Sequence, residues 1–81
     1  MKDQIEVYPL TIIADRYDGS YSDAKFLAFN LFASQIPNKV GSEDEDEAEF
    51  WREGGEHEKY KIGRGEDPNA ALLDLISKIE Q

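Results

Sequence analysis

The sequence predicts an α+β fold: an antiparallel three-stranded sheet, built from a β-hairpin and a third strand, packed by a C-terminal helix. A short acidic helix is expected as an insertion before the third strand. Three observations carry this expectation. Two apolar runs flank Asp18-Gly19, a dipeptide suited to the positive φ angles of tight hairpin turns. The last segment opens on Asp67-Pro68 and continues with apolar residues at helical spacing. Between these parts, nine of the eighteen acidic residues lie from Glu43 to Glu58, against one basic residue, Arg52.

The elements follow in order. Ile5 to Tyr17 reads as a strand, with Tyr8, Leu10, Ile12 and Ala14 on one face and β-branched residues at Thr11-Ile12-Ile13. Pro9 lacks an N–H, which suits an edge position or a bulge near the start. Ala24 to Phe32 alternates as the second strand. A hairpin closed by an even number of residues sets Leu10 and Ile12 on one face with Leu27 and Phe29. Pro37 and Asn38 mark a turn. Ser42 and Glu45 have the spacing of a capping box, and acidic residues favour the positive end of a helix. The spacing therefore predicts a helix from about 43 to 53, stopped by Gly54-Gly55, with disorder of its first half as the competing reading. Glu58 to Gly65 is the third strand, with Tyr60 and Ile62 on one face. Asp67 caps the last helix and Pro68 takes its first position, where a missing N–H costs nothing. Leu72, Leu75, Ile76 and Ile79 form its apolar stripe, widened by Leu73.

Eighty-one residues are read as a single domain, 1–81, with the acidic insertion at about 41–58. A chain this short buries only about 60–65% of its unfolded surface, so its stability margin is thin. Disorder of the whole chain is disfavoured, because 40% of it is apolar and the apolar residues cluster in periodic segments. A formal charge of −9 argues against direct nucleic-acid binding and against an anionic membrane as partner. The absence of cysteine excludes disulfides, thiolate metal sites and cysteine nucleophiles. No apolar run reaches the roughly 20 residues of a membrane span, and Met1-Lys2-Asp3-Gln4 has no signal-peptide character, so a cytoplasmic location is expected.

Catalytic patterns are weak. His57, the one histidine, stands in the polar stretch Gly54-Gly55-Glu56-His57-Glu58 and is expected as a solvent-exposed loop residue. No nucleophile elbow and no zinc-protease pattern is present. Gly63-Arg64-Gly65 before a helix has the look of a phosphate loop, but Glu66 and Asp67 already place carboxylates at that helix start. Asp15, Asp18 and Asp23 miss the calcium-loop spacing, because Tyr17 and Gly19 occupy ligand positions. No enzyme, metal or cofactor is expected.

The acidic segment is the candidate site. Like charges three and four apart weaken a helix, so Glu43, Asp46 and Glu47 are tolerated at a cost. The run also adjoins Phe50-Trp51, and an aromatic beside a charged rim is the composition of an interface anchor. The partner-binding candidates are Glu43, Asp44, Glu45, Asp46, Glu47, Glu49 and Trp51. Phe50 and Trp51 also read as core anchors of the helix. A row of carboxylates on a rigid frame imitates the phosphate spacing of nucleic acid.

Residues 60–75, Tyr60-Lys61-Ile62-Gly63-Arg64-Gly65-Glu66-Asp67-Pro68-Asn69-Ala70-Ala71-Leu72-Leu73-Asp74-Leu75, resemble the strand, turn and helix of HicB-like antitoxin domains. The hairpin over 8–31 and Ile36-Pro37 follow the order of that family. The resemblance implies a partial RNase H-like fold that covers a small basic RNase toxin. Departures are an acidic insertion at 41–58 longer than the family's loop, and no DNA-binding region following Gln81, so operator binding is not implied. More loosely, Ile13 to Ser22 with the later Phe50-Trp51 is similar to small uncharacterised phage and prophage proteins, among which acidic members inhibit host defence. The resulting expectation is a non-enzymatic protein-binding module, acting in the host cytoplasm if phage-encoded. It would block a basic nucleic-acid-binding partner, such as a defence nuclease, by nucleic-acid mimicry. The alternatives are a HicB-like antitoxin that neutralises an RNase toxin, and a structural homodimer joined through an exposed strand edge.

Overall fold

The computed structural model describes residues 7–80. The elements run β1 (Thr11–Ala14), β2 (Phe26–Phe29), α1 (Asp44–Trp51), β3 (Ile62–Gly65) and α2 (Pro68–Glu80), with 3-10 turns at Ala33–Gln35 and Glu56–Lys59. The sheet is antiparallel in the order β1-β2-β3. The α+β class and the order of elements are as expected. The strands are shorter than the apolar runs that announced them, and Ile5 lies outside the described residues.

The hairpin register departs from expectation. β1 and β2 pair Thr11 with Phe29, Ile12 with Ala28, Ile13 with Leu27 and Ala14 with Phe26. Leu27 and Phe29 therefore share their face with Ile13, while Ile12 lies opposite Ala28 on the other face. The reason is the parity of the connection: eleven residues, Asp15 through Lys25, separate the strands. An odd loop pairs positions of like parity, and a one-residue change in register moves every side chain to the other face. Asp18 and Gly19 do adopt positive φ, 55° and 94°, but inside this longer loop, where Asp23 follows at 70°. The Asp15 carboxylate accepts the Gly19 N–H, and the buried Ser22 hydroxyl lies 3.1 Å from both that carboxylate and the Ala24 carbonyl.

The sheet is covered on both faces, and the two covers differ in kind. On one face Leu27, Phe29 and Ile62 pack against Phe50 and Trp51 of α1, with Ala24 beneath and Ile13, Leu31, Val40 and Tyr60 around the rim. Large side chains interlock here, each contributing about 1.5–3 kcal/mol by leaving water. On the other face Ala28, Ala71 and Leu75 form the centre, joined by Ile12, Phe26 and Ile79. Here the backbones themselves approach. A Cβ on Gly63 would stand 2.1 Å from the Ala71 carbonyl oxygen, and one on Gly65 would stand 2.4 Å from the Ala71 nitrogen. Glycine is the residue that permits this approach.

α2 begins as expected, with the Asp67 carboxylate accepting the Ala70 N–H at 2.7 Å. Its buried line is Ala71 and Leu75, continued by Ile79, while Leu72 and Ile76 are half-buried flanks. Leu73 is 58% exposed and does not widen the stripe. The close seat on the two glycines selects a small residue, Ala71, at the point of contact and turns Leu73 outward.

The outer edge of β3 is capped by α2. In an antiparallel strand, alternate residues direct their N–H and C=O to opposite sides. Ile62 and Arg64 direct theirs away from β2. The Asp74 carboxylate accepts the Arg64 N–H at 2.9 Å, and the Lys78 ammonium donates to the Ile62 carbonyl at 2.6 Å. Asp74 and Lys78 are themselves an ion pair at 3.0 Å. Burial alone pushes the Asp74 carboxyl up, but the Arg64 N–H and Lys78 outweigh it and hold it below its ordinary value. This edge is thus occupied by side chains of the helix, a protection edge strands commonly need.

Candidate functional site

α1 is short and begins without the expected capping box. Glu43 is the N-cap through its backbone alone, and the Ser42 hydroxyl donates to Asp46 at 3.2 Å instead of capping. The helix ends at Trp51, two residues before the expected stop, because Arg52 is already extended and the chain turns at Gly54 with φ 76°. Eight residues of such sequence do not hold a helix by themselves. Tertiary contacts hold it.

Three buried side chains at i, i+3 and i+4 hold α1 in place, Phe50 and Trp51 against the sheet and Glu47 against the preceding loop. Glu47 is fully buried. Its carboxylate accepts the Gly41 N–H at 3.2 Å and the Trp51 indole N–H at 3.1 Å. Burial pushes the Glu47 carboxyl above its ordinary value, opposed by those two hydrogen bonds. Phe50 and Trp51 meet edge to face at 4.9 Å between centroids, a preferred aromatic geometry.

The hairpin loop clamps the start of α1. Arg16 donates to the carbonyls of Gly41 and Ser42, each at 3.0 Å, and the Tyr17 hydroxyl donates to the same Ser42 carbonyl. The Tyr21 hydroxyl reaches the Asp44 carboxylate at 3.3 Å. The Arg16 guanidinium lies over the Tyr17 ring at 5.2 Å, and Tyr17 meets Tyr21 edge to face. Partial desolvation, reinforced by the nearby carboxylates, pushes both phenols up. At the far side, Lys39 pairs with Glu49 at 2.6 Å, a hydrogen bond that lowers the Glu49 carboxyl and raises the Lys39 ammonium.

The expected site residues therefore divide. Glu43, Asp44, Glu45, Asp46 and Glu49 lie toward solvent and line two shallow clefts. One, about 420 Å³, lies between Arg16, Tyr17, Glu43, Asp44 and Glu45. The other, about 500 Å³, lies between Glu45, Asp46, Glu49 and Arg52. Glu45 borders both. Glu47 is withdrawn into the core, and Trp51 is 8% exposed, so neither offers contact area to a partner. The signal for Glu47 was its helical spacing to Phe50 and Trp51, which places a carboxylate on the apolar face. Arg16, Tyr17 and Tyr21 carried no sequence signal, since their partners stand more than twenty residues away.

His57 also departs from expectation. It is half-buried in the 3-10 turn, its Nδ1 is 2.8 Å from the Phe50 carbonyl, and its ring lies 5.3 Å from that of Trp51. An N–H at Nδ1 donates to that carbonyl, so the ring fastens the turn onto α1. Among the described residues no three potential metal ligands stand together, and no helix is long and apolar enough to cross a membrane. The chain matches no protein-family model, no curated protein and no solved structure.

Proposed function

We propose that the outer face of α1 is a docking surface for a basic, nucleic-acid-binding protein, and that the chain blocks this partner by occupying its nucleic-acid groove. The observation that supports this most directly is the anchoring of α1. Five solvent-facing carboxylates, Glu43 at the N-cap and Asp44, Glu45, Asp46 and Glu49 on the helix, ride on an element fixed by three buried side chains and clamped by Arg16 and Tyr17. Carboxylates held in place lose little freedom on binding, which is the condition for favourable pairing with Lys or Arg. The clefts on either side of Glu45 suit a long cationic side chain with its stem against Ala48 or Tyr17. A defence nuclease and the small RNase toxin expected of a HicB-like antitoxin both present such cations.

The test is a variant with Glu43→Gln, Asp44→Asn, Glu45→Gln, Asp46→Asn and Glu49→Gln, with Glu47 left intact to preserve the core. Basic nucleases immobilised on a sensor are exposed to the chain at increasing salt. A cognate nuclease should bind, be released by competing nucleic acid, and associate with the variant at least about tenfold more slowly with a flatter salt dependence. Equal association of the variant, or binding that nucleic acid does not displace, overturns the reading.

A further inference from the structure

Beyond Trp51, at the C-terminal end of α1, the surface carries the reverse charge. A pocket of about 400 Å³ opens beside β3, lined by His57, Glu58, Tyr60, Lys61, Ile62, Arg64 and Lys78. Three of the chain's nine lysines and arginines thus converge on one concavity of a protein whose net charge is −9. Lys78 is committed to Asp74 and to the Ile62 carbonyl. Lys61 and Arg64 form no ion pair with a described residue. Arg64 is also held ready. Its N–H is fixed by Asp74, its guanidinium lies over the Trp51 ring at 5.1 Å, and its Nε is buried without a hydrogen-bond partner. A buried donor left unpaired is costly, and no described group satisfies this one. Glu58, which also lines the pocket, accepts the Gly54 N–H at 2.9 Å through one carboxylate oxygen and forms no ion pair with Lys61 or Arg64.

We propose that this pocket binds a phosphate monoester carrying a flat organic body. Two cations without an ion-pair partner among the described residues match the charge of about −1.5 to −2 on a phosphomonoester at neutral pH, the Lys61 ammonium making only a long hydrogen bond of 3.4 Å to the Lys78 carbonyl. The guanidinium supplies a planar fork and the Lys61 ammonium a point charge, the two donor types suited to phosphate oxygens. The volume falls within the roughly 300–1,000 Å³ of small-molecule sites, and Tyr60 and Ile62 form an apolar wall for the ester's body. The pocket is lined by none of the exposed α1 carboxylates, so this binding is separate from the docking surface.

The probes are adenosine 5′-monophosphate, adenosine and inorganic phosphate, added to the full chain. Readouts are the fluorescence of Trp51, the one tryptophan, excited beyond nucleotide absorption, and the amide shift of Arg64. Saturable binding of the monophosphate is expected, with at least about tenfold weaker binding by Lys61→Gln and Arg64→Gln, the loss of one charge-assisted contact each. Lys61 is exposed, so its variant keeps the fold if Arg64→Gln does not. No response to millimolar monophosphate, equal binding of adenosine or of inorganic phosphate, or unchanged affinity in Lys61→Gln each overturns the proposal.

Discussion

Glu47 offers the sharpest test of how the acidic helix is held. Replacing it with Ala removes the acceptor of two buried donors, the Gly41 N–H and the Trp51 indole N–H. Each donor left unpaired costs about 1–3 kcal/mol, and the lost carboxylate also relieves an unfavourable buried charge. The two effects oppose each other, and the hydrogen bonds win at neutral pH, leaving a net loss of about 2–4 kcal/mol. A domain of this size holds roughly 4–12 kcal/mol in total. At about 4–8 °C per kcal/mol, Tm falls by about 10–30 °C. The pH dependence separates this account from simple loss of packing. Burial raises the Glu47 carboxyl in the folded state, so the folded chain binds this proton more readily than the unfolded chain does. The native chain gains stability from this group as pH falls from neutral through its raised value toward the ordinary 4.5. The stability difference between native chain and variant should therefore widen between pH 7 and about pH 5. Circular dichroism melts at several pH values, with Trp51 emission followed in parallel, measure it. A variant as stable as the native chain, or a difference that narrows as pH falls, refutes the reasoning.

Two further outcomes test the other face and the helix start. Gly63→Ala sets a Cβ 2.1 Å from the Ala71 carbonyl oxygen, so α2 must shift outward. Overpacking of this kind costs about 1–3 kcal/mol or more, read as a lower denaturant midpoint with retained helix signal; an unchanged midpoint shows that α2 is not seated on the glycine. Asp67→Ala removes the acceptor of the Ala70 N–H and should cost about 0.5–2 kcal/mol, whereas Asp67→Asn should recover most of it; equal losses in the two variants count against capping.

What the sequence revealed depends on how local the cause was. The Asp67-Pro68 start needs only neighbours within one turn, and it stands where the spacing placed it. The hairpin was visible in the alternation of its strands, but its register was not. Register depends on the parity of an eleven-residue loop whose course is set by Asp15 and Ser22. Read as a row of surface carboxylates, the acidic run gave the wrong role to Glu47, although its spacing to Phe50 and Trp51 carried the correct one. The hold of Arg16 and Tyr17 on the carbonyls of Gly41 and Ser42 joins segments far apart in the chain, and no local pattern encodes it.

The ion pair that covers the outer side of β3 also limits how copies of this protein can join. A sheet grows by adding strands, and one end of this sheet is already stopped by Asp74 and Lys78. On β1 the backbone groups of Ile12 and Ala14 point away from β2. Two copies meeting there would be related by a two-fold axis, and each would then present only its stopped side. Growth ends after a single step. If copies do meet there, the described residues offer no second strand edge through which a pair could lengthen into a fibre.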